Sequence, residues 1–112
     1  MTPCIFCQII AGDSPARIIH RDDHLIAFDD IAPQAPTHIL IVPVRHILSL
    51  AEAQDDDADL LGRICLRAVA IARAKDLPGY RLVINTGAHG GQTVGHLHFH
   101  LLGGRQMTWP PG

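Results

Sequence analysis

Residues 96–102 read His-Leu-His-Phe-His-Leu-Leu, and no other stretch of this chain limits its conformation so tightly. His96, His98 and His100 alternate with Leu97, Phe99 and Leu101. A two-residue period is that of a β-strand, whose successive side chains point to opposite faces. The imidazoles then line one face, with Cα atoms about 6.6–6.8 Å apart, and the apolar residues line the other. An apolar strand face needs a cover. The best helix in the sequence supplies one, running from about Asp55 to Asp76. Its stripe is Leu60, Leu61, Ile64, Cys65, Ala68, Ile71 and Ala72. Asp55, Asp56 and Asp57 at its start and Arg73 and Lys75 at its end suit the helix dipole, and Pro78-Gly79 stops it.

The remaining segments fit around this pair. Cys4 to Ala11 places Ile5, Phe6, Ile9 and Ile10 at helical spacing, and Gly12-Asp13-Ser14-Pro15 ends the turns. Arg17–Arg21 and Leu25–Phe28 read as a hairpin about Asp22-Asp23. Thr37–Val42 is a central strand ended by Pro43; Tyr80–Asn85 and Leu97–Leu102 are two more. Five strands with one long and one short helix predict a single α+β domain over residues 1–112, built on an antiparallel sheet.

Composition narrows the function. The net charge is −2 and no basic stripe occurs, which disfavours nucleic acid as a partner. Apolar stretches such as Ile39 to Val44 fall far short of the about 20 residues of a membrane span. The N-terminal residues do not read as a secretion signal, so the cytoplasm is the expected location. Three cysteines, an odd number, argue against a disulfide framework.

Eight histidines against five aromatic residues put weight on imidazole chemistry. Three readings of the histidine face are open. It is a solvated polar face, a metal site on imidazoles two residues apart, or a nucleophilic centre in which one histidine attacks and others move protons. The loop before it, Thr86 to Gly95, holds four glycines and suits a backbone cradle for a phosphate held against an imidazole. Asn85 adds a neutral donor on the same side.

These residues resemble the histidine-triad family, whose signature is His-φ-His-φ-His-φφ with φ apolar; His96 to Leu102 fits throughout. Asp30-Ile31-Ala32-Pro33-Gln34-Ala35-Pro36-Thr37-His38, Gly90-Gly91-Gln92-Thr93-Val94 and residues 102–112, ending Trp109-Pro110-Pro111-Gly112, are similar to its nucleotide-binding branch, the purine nucleoside phosphoramidases. The resemblance implies a hydrolase that cleaves nucleoside 5′-phosphoramidates and acyl-nucleotides to nucleoside monophosphates of AMP or GMP type. His98 matches the family nucleophile, and His100, His38 and Thr93 match proton-transfer and phosphate-binding positions. Asp30 matches the ribose carboxylate. Asn85, Gly91, Gln92 and Val94 fall around the phosphate, while Ile5, Phe6, Ile9, Phe28, Ile31 and Leu40 match the wall of the base. The family precedent is also a homodimer with a joined ten-stranded sheet, in which residues 105–112 bring Trp109 near the partner's active site. No cofactor is implied for catalysis. Two other functions stay open: a zinc-dependent hydrolase with the triad as metal ligands, and a nucleotide-binding regulator with little turnover.

Cys4-Ile5-Phe6-Cys7 lacks the βαβ setting of a thioredoxin-like motif. Two reduced thiols are one reading, with Cys65 expected in the core. Structural zinc is the other. Some histidine-triad proteins and related uridylyltransferases use such a pair with two histidines, and the matching positions are His46 and His96. His20, His24 and His89 are expected at surface or loop positions.

Overall fold

A computed structural model describes residues 4–112. The elements are α1 (Ile5–Ala11), β1 (Ile18–Arg21), β2 (Leu25–Asp29), β3 (Thr37–Pro43), α2 (Ala58–Ala74), β4 (Tyr80–Ile84) and β5 (Phe99–Gly103), with single 3₁₀ turns at Leu50–Glu52 and Asp55–Asp57 before α2. The strands form one antiparallel sheet in the order β1-β2-β3-β5-β4. This is the expected α+β architecture. The strands are not simply ordered by sequence, because β5 inserts between β3 and β4.

The sheet is buried on both faces at its centre, which explains why β3 is an almost unbroken apolar run. Leu25, Ala27, Ile39, Ile41, Phe99 and Leu101 pack with Ile64, Ala68 and Ile71 of α2. On the other face Ile26, Phe28, Leu40 and Val42 pack with Phe6 and Ile9 of α1. The alternation along β2 and β3 thus feeds two separate cores. At roughly 25 cal/mol per Å², burying a single large aliphatic side chain contributes about 1.5–3 kcal/mol, so these two layers dominate what holds the sheet between the helices.

Three features differ instructively from the sequence reading. The long helix begins at Ala58, because Asp57 turns inward: its carboxylate accepts the Gln54 N–H at 2.9 Å and pairs with Arg45. Cys65, expected in the core, is exposed. It lies about 100° around the helix from buried Ile64, which carries it past the edge of the stripe. The ladder of the histidine strand starts at Phe99, not Leu97. Upstream, the Leu97 N–H donates to the Ile47 carbonyl at 2.6 Å, beyond the end of β3. Pro43, the last residue of β3, has no N–H with which to extend the pairing. Leu97 nevertheless stays in the α2 core with Phe99 and Leu101, so the alternation of faces survives without the ladder. None of the helices among the described residues is long and apolar enough to cross a membrane.

Candidate active site

The α1 face of the sheet is open beside α1, where a cavity of about 480 Å³ forms. That volume suits a small-molecule ligand of nucleotide size. Ile5, Phe6, Ile9, Phe28 and Leu40 make an apolar wall, and Asp29, Asp30, Thr93, Val94, His98 and His100 supply polar groups. Ile31 lies at the mouth and is 96% exposed. Ser14, Pro15 and Ala16 complete the lining. In the sequence Ser14 and Pro15 read only as part of the helix stop, and Ala16 carries no signal of a site.

Register places the histidines. Leu40 lies opposite His100 and His38 opposite Leu102, so His38 and His100 are diagonal neighbours on one face. His38 Nδ1 accepts the Gln34 backbone N–H at 3.0 Å. In the neutral ring the proton therefore sits on Nε2, which donates to His100 Nδ1 at 2.9 Å. His100 then carries its own proton on Nε2, a buried atom with no hydrogen-bond partner among the described residues. The result is a directed chain that ends in an N–H donor at the cavity. Asp30 stands 3.4 Å from His38 Nε2 and also accepts the Ala32 N–H at 2.8 Å.

The same tautomer argument bears on metal binding. Asp30, His38 and His100 are close enough to hold an ion. Yet the Gln34 N–H occupies the lone pair of His38 Nδ1, which leaves a proton and not a lone pair on Nε2. The cluster is better described as a proton-bearing relay. His98 has the opposite arrangement. Its Nδ1–H donates to the His96 carbonyl at 2.7 Å, leaving Nε2 unprotonated in the neutral ring. The Phe6 ring lies edge-on to it at 5.1 Å.

Burial, and then neighbouring His98 and His38, push His100 down from 6.5 to about 4. Burial also lowers His38, against the pull of Asp30. The relay is thus held neutral at pH 7.

The glycine loop closes largely on itself. Gly90 and Gln92 donate backbone N–H groups to the Gly87 carbonyl, and Gly91 donates to Ala88. The Gln92 side chain accepts from the Gly87 N–H and donates to the Leu48 and Val94 carbonyls, bracing the loop. Gly91, with φ of +82°, allows the turn. Thr93 and Val94 line the cavity, and their N–H groups donate to no main-chain carbonyl among the described residues. Gly91 and Gln92 lie behind this lining, and Asn85 follows β4 outside it. Trp109 is 82% exposed on a tail held to β4 by Arg81, which donates to the Thr108 carbonyl at 2.9 Å.

A second cluster adjoins His98 through His96. Cys4, Cys7, His46 and His96 converge, each offering one ligand atom within 4.8 Å of the others. His96 is fully buried, and its Nε2–H donates to the Pro43 carbonyl at 2.9 Å. Its Nδ1 lone pair therefore faces Cys4 Sγ at 3.4 Å and Cys7 Sγ at 3.6 Å. His46 Nδ1 lies 3.3 Å from Cys7 Sγ. Two thiols and two imidazoles, one of them oriented by a carbonyl, fit a tetrahedral zinc site. Burial and neighbouring Cys4 raise the Cys7 thiol, as expected of close sulfurs without an ion.

Among known proteins, the profile of a family described as "Scavenger mRNA decapping enzyme C-term binding" matches residues 3–109. An uncharacterized HIT-like protein of Synechococcus elongatus is 54% identical over 109 residues, covering 96% of each chain. Adenylylsulfatase HINT1 of Arabidopsis thaliana is 46% identical over 114 residues, covering 99% of this chain and 78% of that protein. A crystal structure of a HIT family hydrolase from Legionella pneumophila superposes with a TM-score of 0.96 at 53% identity, over 98% of this chain and 100% of that one. A zinc-bound histidine triad family protein from Mycobacterium smegmatis has a TM-score of 0.80 at 31% identity, over 91% of this chain and 75% of that one.

Proposed function

This chain belongs to the histidine-triad family, in its nucleotide-binding branch, and is a nucleotide-binding hydrolase; on that premise we propose that it cleaves purine nucleoside 5′-phosphoramidates and acyl-nucleotides through a nucleotidyl-histidine intermediate. The observation that carries the reading is the pair of opposite tautomers, a free Nε2 on His98 beside an N–H donor on His100.

In this mechanism the base lies against Phe6, Ile9, Phe28 and Leu40, and Asp30 accepts from the ribose hydroxyls. The N–H groups of Thr93 and Val94 and the His100 Nε2–H stabilise the phosphoryl oxygens as charge builds on them. His98 Nε2 attacks the α-phosphorus; the phosphorus–nitrogen bond breaks as the leaving amine takes up a proton. Thr93, which lines the cavity and carries a hydroxyl, is the group assigned to that transfer. Water then attacks the nucleotidyl-imidazole and releases the nucleoside monophosphate. An acyl-nucleotide differs only in its leaving group. The adenylylsulfatase named among the relatives likewise points to attack at an adenylyl phosphorus.

We also infer a structural zinc on Cys4, Cys7, His46 and His96. It would cross-link α1 to the segments flanking β3 and β5, and the zinc-bound mycobacterial relative supports this. No step of hydrolysis passes through it.

The test is release of AMP from adenosine 5′-phosphoramidate by the parent and by His98→Ala, both chelated, reduced and confirmed folded. The parent is expected to turn over, and His98→Ala to lose at least about 10³-fold in kcat while still binding AMP. Turnover only on restoring zinc would instead make the triad a metal site. Tight AMP binding without turnover by the parent would make the protein a nucleotide-binding regulator.

A further inference from the structure

The two clusters described above are joined. His96 is the link: its ring faces the sulfurs of Cys4 and Cys7, and its main-chain carbonyl holds the Nδ1–H of His98. Phe6 is a second link. It lies between the two cysteines in sequence, and its ring packs edge-on against His96 at 5.9 Å and His98 at 5.1 Å. Both thiols are free and partly accessible, and Cys4 Sγ accepts the Cys7 backbone N–H at 3.4 Å. Their sulfur atoms lie within 4.8 Å of one another, Cys4 as the N-cap of α1 and Cys7 in its first turn.

We propose that Cys4 and Cys7 form an oxidisable pair whose conversion to a disulfide slows the reaction centred on His98. The proposal rests on His98 being the nucleophile. The oxidant is a peroxide. One thiol sulfur attacks the peroxide, forming a sulfur–oxygen bond as the oxygen–oxygen bond breaks, and the departing oxygen takes up the thiol proton and leaves as water. The second thiol sulfur attacks that sulfenic acid, the sulfur–sulfur bond forms, and the hydroxyl leaves with the second thiol proton as another water. Two thiols lose two electrons and two protons, and one hydrogen peroxide becomes two waters.

The consequence follows from the geometry. A disulfide needs sulfur atoms about 2.05 Å apart and carries no S–H. Closing the pair removes the donors that face His96 Nδ1, an acceptor on a fully buried ring. It also pulls the first turn of α1 together, and with it Phe6. Both changes arrive at His98, through the carbonyl that fixes its tautomer and through the ring packed on its edge. A metal held by the four ligands would protect the thiols, so oxidation acts on the metal-free, reduced form.

The experiment uses the full chain in a Cys65→Ser background, which removes the exposed third thiol. Metal-free protein is treated with hydrogen peroxide and followed by intact mass, by peptide mapping, by kcat/KM for adenosine 5′-phosphoramidate and by the imidazole ¹⁵N shifts of His96 and His98. The expected result is loss of two hydrogens, a Cys4–Cys7 linkage, displaced ¹⁵N shifts at both rings and a fall in kcat/KM of roughly tenfold or more, all reversed by dithiothreitol. Added Cys7→Ser should abolish the response, its treated-to-untreated ratio staying near one. A disulfide that leaves kcat/KM and the His98 shifts unchanged overturns the proposal, as does failure of the linkage to form. An untreated protein without turnover, or one equally active as His98→Ala, faults the proposed function instead. In that case the linkage and the His98 shifts still decide whether the pair controls that ring.

Discussion

His98 and His100 lie two residues apart, yet their rings are prepared for opposite tasks. The difference comes from which nitrogen meets a backbone group. A carbonyl takes the Nδ1 proton of His98, whereas an N–H, passed on through His38, occupies the Nδ1 lone pair of His100. Burying His100 and its neighbours in neutral form has a cost in acid. His100 falls from 6.5 to about 4, and burial moves His38 and His96 in the same direction. The unfolded chain then binds more protons than the folded one between these values. Stability is therefore complete above about pH 6.5 and is lost as the pH falls toward about 4. Urea unfolding at a series of pH values should show the midpoint falling through this window. A midpoint constant down to pH 4 would mean the rings are not held neutral by the fold.

The elements divide the labour between two faces of one sheet. The α2 face is a packed core centred on fully buried Ile64, Phe99 and Leu101, while the α1 face leaves room for a ligand. Ile64→Ala should cost about 2–5 kcal/mol in equilibrium unfolding, since it opens a cavity in the α2 layer. AMP affinity of the folded fraction should stay within threefold, roughly 0.6 kcal/mol, because the affected face is the far one. A matching loss of affinity would show that the two faces are not independent. Most of these elements were legible in the sequence, because their signals are local. The hairpin about Asp22 is an example: its carboxylate caps the turn through the N–H groups of His24 and Leu25. What was not legible depends on distant partners. Asp57 leaves the helix for Arg45, and Leu97 leaves the ladder for Ile47. The site divides in the same way. Asp30, His38, Thr93, Val94, His98 and His100 carry a motif and do converge. The bracing role of Gln92 rests on the Leu48 carbonyl, 44 residues away, and left no trace in the local pattern.

At the scale of the molecule, one chain leaves apolar surface uncovered. Tyr80, 42% exposed, begins β4, whose outer edge pairs with no strand among the described residues. We propose that a second copy covers this side, as the family precedent implies. Sedimentation equilibrium should give twice the chain mass of 12.2 kDa. Tyr80→Glu should shift the protein toward single chains, because it places a charge on the contact proposed along β4. A single-chain mass for the parent would remove the dimer.

The strand order also sets a timetable. β5 is last of the strands in sequence, yet it lies between β3 and β4. His38 and His100, joined by a hydrogen bond, are 62 residues apart. Such distant pairings make for high contact order and folding in about milliseconds to seconds. A chain emerging from the ribosome can lay down the apolar wall of the cavity, on α1, β2 and β3, well before His98 and His100 exist. Until β5 slots in, β3 keeps one edge unpaired and open to other strands. The strand that completes the His38–His100 pair is thus also the piece that closes the sheet, and a nascent chain gains that pair and its protection from aggregation in the same event.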